Sequence, residues 1–135
     1  MKNPKQNAAR WIKEAEYTFY QAERTLKDNA YNLACFLAEQ TSQKALKAVL
    51  YLGGARFITT HSIKELVKEI SKKHPEFTEL ADKGALLDQY YLSSRYPDAV
   101  PEPAIPSEIF IKKQAEEAVD IAREIFELCK KMIGL

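Results

Sequence analysis

Apolar residues recur along this chain at spacings of three and four, almost without interruption, and that rhythm constrains the fold more than any other feature. Trp11, Ala15, Phe19, Ala22 and Leu26 set it first. A residue three or four places on returns to the same side of an α-helix, so such a run lines one helical face. A half-buried strand needs alternation in twos, and no convincing run of that kind occurs. The pattern predicts a first helix over about residues 6–28.

The rest of the chain continues in helices. A turn at Asp28-Asn29 leads into "AYNLACFLAEQTSQKALKAVLYL", a second helix stopped at Gly53-Gly54 in the manner of a C-terminal glycine cap. After "ARFITTH", the run Ser62-Ile63-Lys64-Glu65 reads as a capping box opening a short third helix, which ends at His74-Pro75. Pro75 suits the first turn of a fourth helix, where its missing N–H is no loss. That helix should carry Phe77, Leu80, Leu87 and Tyr91 on one face and run to about Ser94. Pro97, Pro101, Pro103 and Pro106 then forbid regular helix. Ser107 is the expected cap of a fifth helix, with the stripe Ile111, Ala115, Ala118, Ala122, Ile125, Cys129 and Met132. The fold class expected is all-α: one domain over residues 1–135, an up-and-down four-helix bundle with an additional short helix, about five helices in all.

Composition narrows the functions. With 20 basic and 19 acidic residues the net charge is +1, which disfavours a protein that coats duplex nucleic acid. The N-terminus is polar, and no window approaches the ~18 apolar residues of a membrane span, so a soluble, cytoplasmic protein is expected. Cys35 and Cys129 lack metal-ligand spacing and read as reduced, buried thiols. No P-loop, dinucleotide glycine fingerprint or HExxH occurs, so neither metal nor cofactor is expected.

Two stretches could carry chemistry. Glu39, Gln40, Gln43, Lys44 and Lys47 share one side of the second helix. A solvated face explains them; so does one wall of a cleft. The second stretch is "YYLSSRYPDA", residues 90–99. Arg95 either pairs with Asp98 and pins the loop, or offers its planar fork to a phosphate while Tyr90, Tyr91 and Tyr96 supply flat faces for a base. His61 and His74 each precede a helix start, a common structural position. Arg56 and His61, in "RFITTH", also match the arginine-to-histidine spacing of some metal-independent ribonucleases, a weak signal in a chain with five arginines.

"ACFLAEQTSQKALKAVL" (34–50), "HSIKEL" (61–66) and "YYLSSRYPDA" (90–99) resemble, in order and spacing, the HEPN domain family of small helical bundles. The resemblance runs from about Trp11 to the end of the fifth helix, and its most specific part is Arg-Tyr-Pro-Asp after an aromatic helix. It implies a homodimer with a nucleotide-binding role, partnered by a separately encoded minimal nucleotidyltransferase protein, sometimes as a toxin–antitoxin pair. By that analogy Gln40, Lys44 and Lys47 face Tyr91, Arg95, Tyr96 and Asp98 across a ligand-binding cleft, with no catalytic residue. The alternatives are a metal-independent ribonuclease toxin acting on RNA and a ligand-free dimeric scaffold. This chain departs from the ribonuclease members in having no histidine four to six residues beyond Arg95, and from many relatives in having Gln43 where they have glutamate.

Overall fold

The computed structural model describes residues 3–134, and among them every regular element is helical. Helix α1 spans Pro4–Lys27 and begins where Asn3 Oδ1 accepts the Gln6 N–H at 3.1 Å. Pro4 occupies the first turn, where a missing donor costs nothing. Helix α2, Tyr31–Leu52, ends at Gly53, and Gly54 takes the left-handed conformation (φ 97°) that glycine adopts without a Cβ clash. Helix α3 spans Ile63–Ser71, and the last long helix, α7, spans Lys112–Ile133.

Helices α1, α2 and α7 pack against one another, and α2 also meets α3, α4 (Ala81–Asp88) and α5 (Tyr90–Ser93), so α2 is the central element. Its small residues Ala34, Ala38, Ala45 and Ala48 are completely buried and let these neighbours approach. On α7, Ala115, Ala118, Ala122, Ile125 and Cys129 are buried, whereas Ile111 is more than half exposed.

The predicted fourth helix is broken. Pro75–Leu80 forms a 3₁₀ turn, followed by α4 (Ala81–Asp88) and the single turn α5 (Tyr90–Ser93). In a 3₁₀ turn residues i and i+3 eclipse, which brings Phe77 and Leu80 to the core together. Glycine at position 84 sits where α3 and α4 touch: a Cβ there would lie 2.8 Å from Ile63 Cγ2. The chain then passes through a 3₁₀ turn at Pro97–Ala99 and the short α6, Pro106–Ile109.

Ser107 does not cap α7 as expected. It lies exposed within α6, because Pro106 starts that turn. The chain re-extends at Phe110 and Ile111, and the first turn of α7 is closed by Gln114, whose Oε1 accepts the Ile111 N–H at 3.0 Å. The capping box at Ser62 is half formed. Ser62 Oγ accepts the Glu65 N–H at 3.2 Å, but the Ser62 N–H donates to Thr60 Oγ1 at 3.0 Å rather than to Glu65.

Candidate functional site: the aromatic cluster around Arg95

The end of α5 is tied to the start of α2, and this fixes Arg95. Asn32 Nδ2 donates to the Ser94 carbonyl oxygen at 3.1 Å, and the buried Ser94 hydroxyl donates to the carbonyl of Tyr90. One turn beyond Asn32 on α2 stands Phe36, and Arg95 lies over its ring with Cζ 4.4 Å from the centroid. The same Cζ lies 4.9 Å from the ring centres of both Tyr91 and Tyr96. Arg95 Nε and Nη2 donate to the Tyr91 carbonyl at 2.9 and 2.7 Å, the capping contact a cation makes at a helix C-terminus. Three rings surround the guanidinium, and no carboxylate pairs with it among the described residues. The expected pair with Asp98 does not form: Asp98 is exposed on the 3₁₀ turn at Pro97–Ala99.

Glu39, one turn beyond Cys35 on α2, is near enough to feel the Arg95 charge. It is fully buried, although a solvated stripe is one expectation for this face, and Gln43 beside it is buried too. Central α2 has no broad solvent face to offer them. Gln40 Nε2 donates to Glu39 Oε1 at 2.8 Å, and Gln43 Nε2 donates to Glu39 Oε2. These amides satisfy the carboxylate without neutralising it. Burial pushes its pKa up to about 7; the two amide hydrogen bonds and the Arg95 charge act downward, and the Asp88 charge acts upward. Lys47, two turns further along α2, has its pKa lowered by burial, while the charge of Glu39 opposes that shift.

A second anchor delivers a histidine. Asp88, the last residue of α4, accepts from Ser62 Oγ (2.8 Å), the Ile63 N–H (2.6 Å) and the Lys64 N–H (3.2 Å). This carboxylate caps the N-terminus of α3 from a neighbouring helix, where orphan N–H groups and the helix dipole both favour an anion. His61 immediately precedes the capped turn, and its ring stacks on Tyr91 at 5.5 Å with 12° between planes. Tyr91 therefore carries both an imidazole and a guanidinium against its ring.

The sequence-predicted residues do not all meet here. Tyr91, Arg95 and Tyr96 form one group, whereas Gln40 donates to Glu39. Lys44 turns to α1, where Nζ donates to Thr18 Oγ1 at 2.9 Å and pairs with Glu14 Oε2 at 3.5 Å. Lys47 lies 5.9 Å over the Trp11 ring, also on α1. Arg56 and His61 are separated as well, since Arg56 lines a different hollow with Asn7, Tyr51 and Phe57. Sequence reasoning missed Phe36 and Asp88. Phe36 could have been found one turn before Gln40 on the same face of α2; Asp88 left no local signal, because its partners are some twenty-five residues away.

A family model described as "HEPN domain" matches residues 8–132. The chain belongs to the HEPN family. It is 31% identical over 131 residues to "Putative toxin MJ1304" of Methanocaldococcus jannaschii, a match covering 91% of this chain and 86% of that protein. Among solved structures, TT1696 of Thermus thermophilus superposes with a TM-score of 0.84 at 30% identity, covering 93% of this chain and 98% of that one. ST0689, an archaeal HEPN homologue, gives 0.77 at 32% identity and covers 98% and 99%. Among the described residues, no helix of this HEPN chain is long and apolar enough to cross a membrane, and no cluster of three potential metal ligands occurs.

Proposed function

We propose that this chain is a toxin-type HEPN module that binds a nucleotide at the Arg95 cluster. In this reading it is not catalytic alone and works in the cytoplasm as a homodimer beside a separately encoded minimal nucleotidyltransferase. One observation carries the reading: the Arg95 guanidinium sits within 4.9 Å of the ring centres of Phe36, Tyr91 and Tyr96, and no carboxylate among the described residues pairs with it. A guanidinium pinned by rings and one carbonyl keeps its charge for an incoming phosphate and loses little freedom on binding. Half-exposed Tyr96 supplies the flat face beside it for a base. The similarity to a protein named as a toxin supports the toxin-type part.

A second reading has a specific observation in its favour. His61 stacks on the Tyr91 ring that Arg95 also contacts, so in this reading its imidazole accepts a proton from a ribose 2′-hydroxyl, although no histidine follows Arg95 in the chain. Arg95, rather than Arg56, would be its cationic partner in a ribonuclease.

One pair of assays separates the readings. ATP at about 100 times its dissociation constant should add about 2.7 kcal/mol of stability to the wild type and none to Arg95→Gln, read by thermal unfolding. The same preparations should leave a labelled RNA intact. No stabilisation by any nucleoside triphosphate would sink the binding reading. RNA cleavage by the wild type that is lost in His61→Ala would replace it with the second.

A further inference from the structure

All three acids of α1 are occupied by other helices. Glu14 pairs with Lys44 of α2 at 3.5 Å, and Glu16 and Glu23 pair with Lys130 and Arg123 of α7 at 3.1 and 3.4 Å. The cations of α1 receive nothing in return: among the described residues Arg10, Lys13 and Arg24 have no ion-pair partner. Together with Tyr17 and Tyr20 they fall at positions 10, 13, 17, 20 and 24, the three-and-four spacing of a single helical side. All five are exposed, the tyrosines at 61% and 55%. Arg24 rests 5.8 Å over the Tyr20 ring. At 1.5 Å per residue the stripe is about 21 Å long. Beside Tyr17 it opens into a groove of about 650 Å³ bordered by Trp11, Lys44 and the Glu14 carboxylate that Lys44 pairs with.

We propose that this outward side of α1 is a second binding surface, separate from the Arg95 cluster, for single-stranded nucleic acid. Un-neutralised cations interleaved with exposed rings fit a strand whose phosphates and bases alternate, since cations take phosphates and any base can stack on tyrosine. Other occupants fit less well. A second copy of the chain, paired two-fold on this side, would set cations against cations. A protein partner would want an interface centre depleted of charge, and three of the five side chains of the stripe are cations. The strip is one helix wide, too narrow to embrace a duplex.

The test is fluorescence anisotropy with labelled oligothymidylate of about 12 nucleotides, within the range that single-strand sites cover. DNA lacks the 2′-hydroxyl, so ribonuclease activity cannot confuse the result. Three cations should give a slope of log affinity against log salt of about −2. The triple variant Arg10→Gln/Lys13→Gln/Arg24→Gln should flatten that slope and weaken binding at least ~10-fold. Tyr17→Ala/Tyr20→Ala should weaken binding at least about 30-fold and leave the slope alone. Circular dichroism should show wild-type helix in both variants, as the replaced groups are exposed. Arg95→Gln should bind the oligomer normally, which makes this surface testable whether or not the Arg95 cluster takes nucleotide. No binding at low salt, wild-type binding by the triple variant, loss of binding in Arg95→Gln, or equal competition by polyglutamate would each overturn the proposal.

Discussion

Arg95 and Lys44 enter the fold as equivalent candidates for holding a phosphate, and their neighbours make them different. Arg95 meets three rings and a backbone carbonyl. Lys44 meets a carboxylate and a hydroxyl on α1. The rings keep the guanidinium in place without cancelling its charge, whereas Glu14 neutralises the ammonium. Whether a cation can receive an anion thus depends less on its own type than on what already faces it.

The largest test of this contrast concerns Glu39, the buried acid whose charge reaches Arg95. With a folded pKa of about 7 against an ordinary 4.5, native Glu39 keeps its proton over a range where the unfolded chain has lost it. Its contribution to stability is therefore complete below about pH 4.5 and is lost as pH rises through about 7. The full swing is about 3 kcal/mol. Urea unfolding between pH 4 and pH 8 should show this decline in the wild type and a flatter profile in Glu39→Gln, which cannot ionise. Parallel profiles would mean that the carboxylate is charged throughout and partly cancels Arg95.

A smaller effect is expected at Asp88, which anchors His61 but does not touch Arg95. Asp88→Ala removes the acceptor for three donors at the start of α3 and should cost about 2 kcal/mol, read from the urea midpoint. The His61 ring protons should shift in NMR as the stack on Tyr91 loosens, while Arg95→Gln leaves the midpoint closer to the wild type. An unmoved His61 signal would show that the stack holds without the cap.

The smallest effect sharpens the comparison from its other side. Lys44→Gln should change stability by about 1 kcal/mol, the upper range of a solvent-facing ion pair, because Lys44 is partly covered and also donates to Thr18, and should leave ATP-induced stabilisation unchanged. Arg95→Gln should lose that stabilisation altogether. A Lys44 variant equally deaf to ATP would place the ammonium back in the cleft.

The long helices were legible because their apolar rhythm persists over many turns, so an error of one or two residues at an end hardly matters. Residues 75–94 misled for the opposite reason. Phe77, Leu80, Leu87 and Tyr91 are spaced as in one helix, but the chain reaches the core with a 3₁₀ turn and two short helices. The polar stripe on α2 was visible, yet its burial depends on how many helices surround α2, a property of the assembled bundle. Small residues at 34, 38, 45 and 48 were the available hint that α2 is crowded on more than one side. His61 joined the cluster through Asp88 and the α3–α4 contact, which no local spacing encodes.

Gly84 gives that contact a mechanical setting. With a hydrogen in place of a methyl, α4 rests directly on Ile63, the residue two beyond His61. Any larger side chain would act as a wedge between the helices and lever the imidazole's support outward, while the Asn32–Ser94 tether continued to hold the guanidinium in register. The spacing between the two groups can thus be tuned from a position that forms no part of the cluster.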